Sequence, residues 1–327
     1  MHILVLGAAG MVGRKLTERL LRDGRLGNGD ITRMTLQDVV APATAKAGFP
    51  IDTETGDFAV AGFAEKLVAD RPDVIFHLAA IVSGEAELDF DKGYRINLDG
   101  TRMLLDAVRL AGGGYKPRLV FTSSIAVFGA PFPDAIGDEF FQTPLLSYGT
   151  QKAIGELLLA DYTRRGFMDG IGIRLPTICI RPGLPNKAAS GFFSNILREP
   201  LAGKEVVLPV SEDVRHWYAT PRSAVGFLLH AATIDSAAVG ARRNLTMPGL
   251  SATVGEEIAA LKRVAGDKVA GRIKREPDPF IMGIVDGWPR NFDAKRALKL
   301  GFTTAEKTFD DIIKIHIEDE LGGKFVV

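Results

Sequence analysis

Ile3-Leu4-Val5-Leu6-Gly7-Ala8-Ala9-Gly10-Met11-Val12-Gly13 is the stretch whose reading sets the architecture of this chain. The apolar run Ile3 to Leu6 suits a strand buried on both faces, and a G-x-x-G-x-x-G sequence follows at once. Beyond it, from Met11 to Asp23, Leu16, Leu20 and Leu21 continue an apolar face at helical spacing. Glycine is needed where a backbone turns tightly and lets a pyrophosphate approach, with the phosphate charge facing the amino end of the next helix. Glycines alone also suit an ordinary tight turn. The strand before them and the helix after them favour a dinucleotide loop formed by Gly7, Gly10, Met11, Val12 and Gly13.

Outward from this unit the same rhythm repeats. Strands are expected at Arg33 to Leu36, Asp73 to Leu78, Arg118 to Thr122 and Ile171 to Leu175, and helices at Leu98 to Leu110 and at Leu145 to about Thr163. Gly24 to Asp30 (GRLGNGD) reads as a surface loop. The alternation predicts an α/β protein whose residues 1–180 form a Rossmann doubly wound parallel sheet. After Arg181, Pro182 and Gly183 the rhythm is lost and prolines become frequent. Residues 181–327 are therefore expected to build mainly a smaller C-terminal substrate-binding lobe, with the chain free to cross back.

The second strand is expected to end at Asp38, where a carboxylate can accept the adenosine ribose hydroxyls. No basic residue follows to hold a 2′-phosphate, so NAD is favoured over NADP. A solvated turn is the other use of Asp38. Asp57, after Gly56, is either a second cofactor contact, to the adenine, or an ordinary turn residue.

Tyr148 and Lys152 stand four residues apart, on one face of a helix. A phenol of ordinary pKa, near ~10, is a poor base at neutral pH, and a neighbouring ammonium favours its phenolate. Lys152 can thus activate Tyr148 and hold the nicotinamide ribose. The expected strand at Leu119 to Thr122 runs into Ser123 and Ser124, and ligands of parallel sheets sit at the carboxyl ends of strands. Ser124 is placed to bond the substrate oxygen that exchanges a proton with Tyr148. Ser123 is either a cofactor contact or a cap.

Charge narrows the partners. Lys+Arg and Asp+Glu are both 40 in 327 residues, a formal net charge of zero, which offers no pull toward nucleic acid or an anionic membrane. A small-molecule substrate is expected. No apolar run approaches the ~20 residues that span a bilayer. The one cysteine, Cys179, lies in the apolar run Ile178 to Ile180, as a buried thiol in a reducing, cytoplasmic setting. No metal site is expected.

With these residues in place, the chain resembles the extended short-chain dehydrogenase/reductase family, which includes NAD-dependent nucleotide-sugar epimerases and dehydratases. The resemblance rests on GAAGMVG (Gly7 to Gly13), HLAA (His77 to Ala80), NLDGT (Asn97 to Thr101), FTSSIAVFG (Phe121 to Gly129), YGTQK (Tyr148 to Lys152) and RPG (Arg181 to Gly183), in family order. It implies that Ser124, Tyr148 and Lys152 are catalytic and that Leu78, Ala79 and Ala80 flank the cofactor. Asn97 takes the supporting asparagine position or caps a helix start. The family often forms a homodimer through its long helices.

For the substrate, the stretch from Arg215 to Arg222 departs from the R-D-Y-I-H-V-x-D pattern of similar nucleotide-sugar epimerases. Three segments instead resemble the D-erythronate dehydrogenase branch: Ala80 to Thr101, Arg181 to Gly203 and Asp213 to Ala224. That resemblance implies NAD-dependent oxidation of the C2 hydroxyl of a small sugar acid. An acid needs a cation, and Arg215, Arg222 and Lys187 are candidates, with Ser83, Asn186 and Ser190 for hydroxyls. His216 is either a substrate contact or a packed histidine, and Trp217 is expected to cover apolar surface. The alternatives are a 4-epimerase that retains its NAD and a non-catalytic NAD sensor.

Overall fold

A computed structural model describes residues 1–183 and 190–327. The strands that position the site are β1 (His2–Leu6), β2 (Arg33–Asp38), β3 (Ile51–Thr55), β4 (Val74–His77), β5 (Arg118–Ser124), β6 (Asp169–Leu175), β7 (Thr177–Ile178), β8 (Arg215–Ala219), β9 (Asn244–Thr246) and β10 (Leu250–Thr253). The helices are α1 (Met11–Asp23), α2 (Phe63–Val68), α3 (Thr101–Leu110), α4 (Ser147–Arg164), α5 (Gly191–Leu201), α6 (Pro221–Thr233), α7 (Val254–Ala265), α8 (Pro279–Asp286) and α9 (Phe309–Leu321).

Seven strands form one sheet in the order β9-β6-β5-β4-β1-β2-β3, and every pairing in it is parallel. This is the Rossmann doubly wound arrangement. Because side chains alternate along a strand, β1 divides its apolar residues between two layers. Ile3 and Val5 pack with Leu16 and Leu20 of α1 and with Phe227 and Leu228 of α6. Leu4 and Leu6 pack on the other face with Leu67 of α2, Leu104 and Val108 of α3 and Leu159 of α4. Strand order reverses between β1 and β4, which opens the ligand crevice at their carboxyl ends.

A second core gathers α5, α7 and α9 around Phe193, Leu197, Tyr218, Leu261 and Ile313. Above it lies a three-stranded sheet, β7-β8-β10, in which β7 and β8 are parallel and β8 and β10 antiparallel. The chain crosses back between these cores: α6 covers the large sheet and β9 extends it beside β6.

Three local expectations change. Gly24 to Asp30 is not an open loop, since Arg25–Leu26 and Gly29–Asp30 pair as a small antiparallel hairpin. The helix expected from Leu98 begins as a π-helical turn, Tyr94–Gly100, and becomes α-helical only at Thr101. β3 was not anticipated, because Ile51-Asp52-Thr53-Glu54-Thr55 is a half-exposed edge strand with little apolar signal. Among the described residues no helix is long and apolar enough to cross a membrane.

Candidate active site

A cavity of about 610 Å³ runs along the carboxyl ends of β1, β4 and β5 and under the second lobe. Gly7, Gly10, Met11, Val12 and Gly13 line one end. Gly7 has φ +87°, and a Cβ there would lie 2.7 Å from the Ala79 amide nitrogen. A Cβ at Gly13 would lie 2.1 Å from the Gly7 carbonyl oxygen, so any larger residue displaces backbone. Gly10 caps α1 without a side chain, and no acidic residue occupies the first turn. The amides of that turn therefore remain for an anion. This cradle fits a dinucleotide pyrophosphate.

Asp38 ends β2, and its Oδ2 accepts the Ala9 amide at 2.9 Å, which fixes the carboxylate beside the glycine loop. Leu78 and Ala80 line the cavity, while Ala79 presents its backbone to Gly7. Asp57 pairs with Arg95 at 2.6 Å and accepts the Ala59 amide. Asn97 is buried and does not reach the cavity. Its Oδ1 accepts from the Ile81 amide at 2.9 Å, and its Nδ2 donates to the Ile81 carbonyl and to Gln151 Oε1. It lies inside the π-helical turn rather than at a helix start, and it ties the loop after β4 to helix α4.

Ser124, Tyr148 and Lys152 all line the cavity. Burial raises the Tyr148 pKa, while the Ser124 hydroxyl and the Arg181 guanidinium hold it down. Lys152 Nζ donates to the Thr122 carbonyl at 2.8 Å and lies 4.8 Å from the Phe121 ring centre. Burial pushes the Lys152 pKa down to about 7, against the opposing charge of Glu156. Lys152 Nζ also lies 5.8 Å from the Tyr148 ring centre, so both Arg181 and Lys152 bring positive charge toward the phenol. The Ser123 hydroxyl donates to Glu156 at 2.5 Å and joins a buried network in which Arg174 makes a two-pronged bond to the same carboxylate.

The substrate candidates separate sharply. Ser83, Ser190 and His216 line the cavity. Arg222 does not: it sits at the exposed start of α6, paired with Glu318 and Asp319. Arg215 also turns away, toward Glu256 at 3.3 Å and the Ser251 carbonyl. Trp217, on the same face of β8, donates to the Met247 carbonyl and packs on Phe292. Asn186 and Lys187 lie outside the described residues.

Arg181 was quoted only as part of a motif, yet it lines the cavity together with Lys152. Its Nε donates to the Ile178 carbonyl at 3.0 Å and one Nη donates to Ser190 Oγ at 2.9 Å. Burial lowers its pKa, the Tyr148 phenol opposes that shift, and among the described residues no carboxylate pairs with it. The position was readable, since Arg181 follows the apolar run Ile178 to Ile180. Thr177 was also missed. Gly283 and Ile284 of α8, with Trp288 and Pro289, line the cavity as an apolar roof.

The family model for the NAD dependent epimerase/dehydratase family matches residues 3–235. The chain belongs to that family. It is accordingly an NAD-dependent enzyme of the extended short-chain dehydrogenase/reductase type. It is 44% identical, over 98% of both chains, to a D-erythronate dehydrogenase of Cupriavidus necator. It is 40% identical to a D-erythronate dehydrogenase of Haemophilus influenzae, covering 98% of this chain and all of that one. A crystal structure described as the nucleoside-diphosphate-sugar epimerase from Agrobacterium tumefaciens is 68% identical. It superposes with a TM-score of 0.97, covering 99% of this chain and 95% of that one.

Proposed function

We propose that this enzyme oxidises the C2 hydroxyl of D-erythronate, giving 2-keto-D-erythronate, with NAD as acceptor. The observation that carries the reading is Arg181, a half-buried guanidinium that lines the cavity with Tyr148 and lacks a carboxylate partner among the described residues. A buried charge is costly unless paired, and a guanidinium matches a carboxylate with two parallel hydrogen bonds. A small acid brings that partner. The two D-erythronate dehydrogenases, similar along the whole chain, support the same substrate.

In this reading Gly7 to Gly13 hold the pyrophosphate, Asp38 the adenosine ribose and Lys152 the nicotinamide ribose. NAD, once bound, accepts a hydride from the C2 carbon. Arg181 anchors the acid and favours the Tyr148 phenolate by its charge. Ser124 orients the C2 oxygen, and Tyr148 takes its proton. Residues 1–180 are assigned to the cofactor lobe and 181–327 mainly to the substrate lobe, with α6 and β9 returned to the sheet. A cytoplasmic homodimer completes the reading, supported by the exposed Leu110 and Leu157 on the long helices.

The deciding experiment is an NAD reduction assay across four-carbon and five-carbon aldonic acids, with nucleotide sugars in parallel. Net NADH formation with D-erythronate is expected. Interconversion of nucleotide sugars without net NADH overturns the proposal in favour of an epimerase, the description carried by the Agrobacterium tumefaciens structure.

A further inference from the structure

His216 sits where β8 meets the apolar roof, and both of its ring nitrogens are engaged. Nδ1 lies 2.9 Å from the Pro289 carbonyl oxygen and Nε2 lies 2.6 Å from Thr177 Oγ1. A carbonyl oxygen can only accept, so Nδ1 must carry a hydrogen. The ring is buried and stacked on Phe193, with centroids 5.0 Å apart and planes inclined by 6°. Burial pushes its pKa down to about 4, the Pro289 bond opposing and Arg181 adding to that effect. The ring is therefore neutral near pH 7, and a neutral ring with hydrogen on Nδ1 presents Nε2 as an acceptor. Thr177 has one hydroxyl hydrogen, and His216 takes it.

The consequence falls on the cavity, which Thr177 lines together with Tyr148, Ser124 and Arg181. With its hydrogen committed, Thr177 Oγ1 can only accept from that side. We propose that Thr177 is a specificity-determining residue that accepts a hydrogen bond from a substrate hydroxyl other than the one oxidised, with His216 as the positioning residue that sets its polarity. The proposal rests on the sugar-acid reading and deepens it. A carbonyl or carboxylate at that point brings lone pairs against lone pairs, and a methylene leaves the threonine oxygen unpaired. The site therefore selects a polyhydroxy acid over a plain 2-hydroxy acid.

The test compares kcat/KM for D-erythronate and its 3-deoxy and 4-deoxy analogues in the wild type, Thr177→Val, Thr177→Ser and His216→Phe, with NAD titration to verify folding. The wild type is expected to disfavour one deoxy analogue by roughly 10- to 100-fold, the range for leaving one buried neutral acceptor unpaired. Thr177→Val should lower D-erythronate to the level of that analogue without slowing the analogue further, and Thr177→Ser should keep the preference. His216→Phe retains the stack on Phe193 but removes the acceptor, and should weaken the same preference. Equal slowing of all three acids by Thr177→Val, or an unchanged preference, overturns the inference while leaving the substrate reading intact. Absence of NADH with every acid in the wild type overturns the substrate reading and this inference with it.

Discussion

Replacing Arg181 by methionine keeps an unbranched apolar stem and removes the guanidinium with its charge, so it tests what that group does. Two donors are already engaged, Nε on the Ile178 carbonyl and one Nη on Ser190. Arg181 lines the cavity with Tyr148, and the donors left over can serve a carboxylate. Charge-assisted hydrogen bonds contribute about 1.5–3 kcal/mol each, and truncating one partner of a buried charged pair costs about 2–5 kcal/mol. A loss of about 3–5 kcal/mol is thus expected, which lowers kcat/KM by roughly two to three and a half powers of ten. A second effect follows from the phenol. Arg181 holds the Tyr148 pKa down, so its removal should move the rising limb of the pH profile to higher pH. The assay is initial-rate NADH formation with D-erythronate and with its methyl ester across pH, alongside NAD titration. The ester lacks the negative charge and should lose much less. Equal losses on acid and ester, with an unmoved pH limb, would refute the carboxylate role and leave Arg181 as a brace for Ile178 and Ser190. Arg181→Lys should recover only part of the rate, because an ammonium lacks the planar fork.

Tyr148→Phe should lower kcat by about 10²- to 10⁴-fold while NAD affinity is kept, and near-normal turnover would remove Tyr148 from its role as base. In the wild type, burial raises the Tyr148 pKa, so the phenolate is the minor form at neutral pH and the rate should climb with pH until the phenol has titrated. A rate independent of pH from about 6 to about 9, below a phenol's usual pKa of ~10, contradicts this. Gly13→Ala places a methyl group 2.1 Å from the Gly7 carbonyl oxygen. The displaced loop should lose about 1–3 kcal/mol of stability and weaken NAD binding, read by urea unfolding and NAD titration. Glu156→Gln leaves the half-buried Arg174 without its counter-charge. A fall of about 3–5 kcal/mol in unfolding free energy is expected, with a further drop in the Lys152 pKa.

The cofactor half of the site was legible because each of its parts is local. The apolar run, the glycines and the helical spacing of α1 occupy consecutive residues, and the observed bounds of α1 coincide with the expected Met11 to Asp23. Tyr148 and Lys152 needed only the pitch of one helix. The proposed substrate half is assembled across the chain, from the cavity-lining Ser83, Tyr148, Thr177, Arg181, His216 and Trp288. No spacing rule joins these positions. Arg215 and His216 show the difficulty: they are adjacent in sequence, yet the alternation of a strand sends one toward Glu256 and the other into the cavity. The cation was sought among arginines of the right segment, but which strand face points inward is settled by tertiary packing.

The placement of β9 at the edge of the large sheet has a consequence for how the chain is made. Its partner β6 ends at Leu175, whereas β9 begins at Asn244, with α5, β8 and α6 in between. At about 5–20 residues per second, a ribosome needs several seconds to extend the chain from one to the other. During that interval the β6 edge, with its apolar Ile171 and Ile173, stays open and one face of the sheet lacks α6. The nascent cofactor lobe is therefore an incomplete template with a sticky margin, and a chain stalled or cut near residue 200 should aggregate rather than yield a functional NAD-binding fragment.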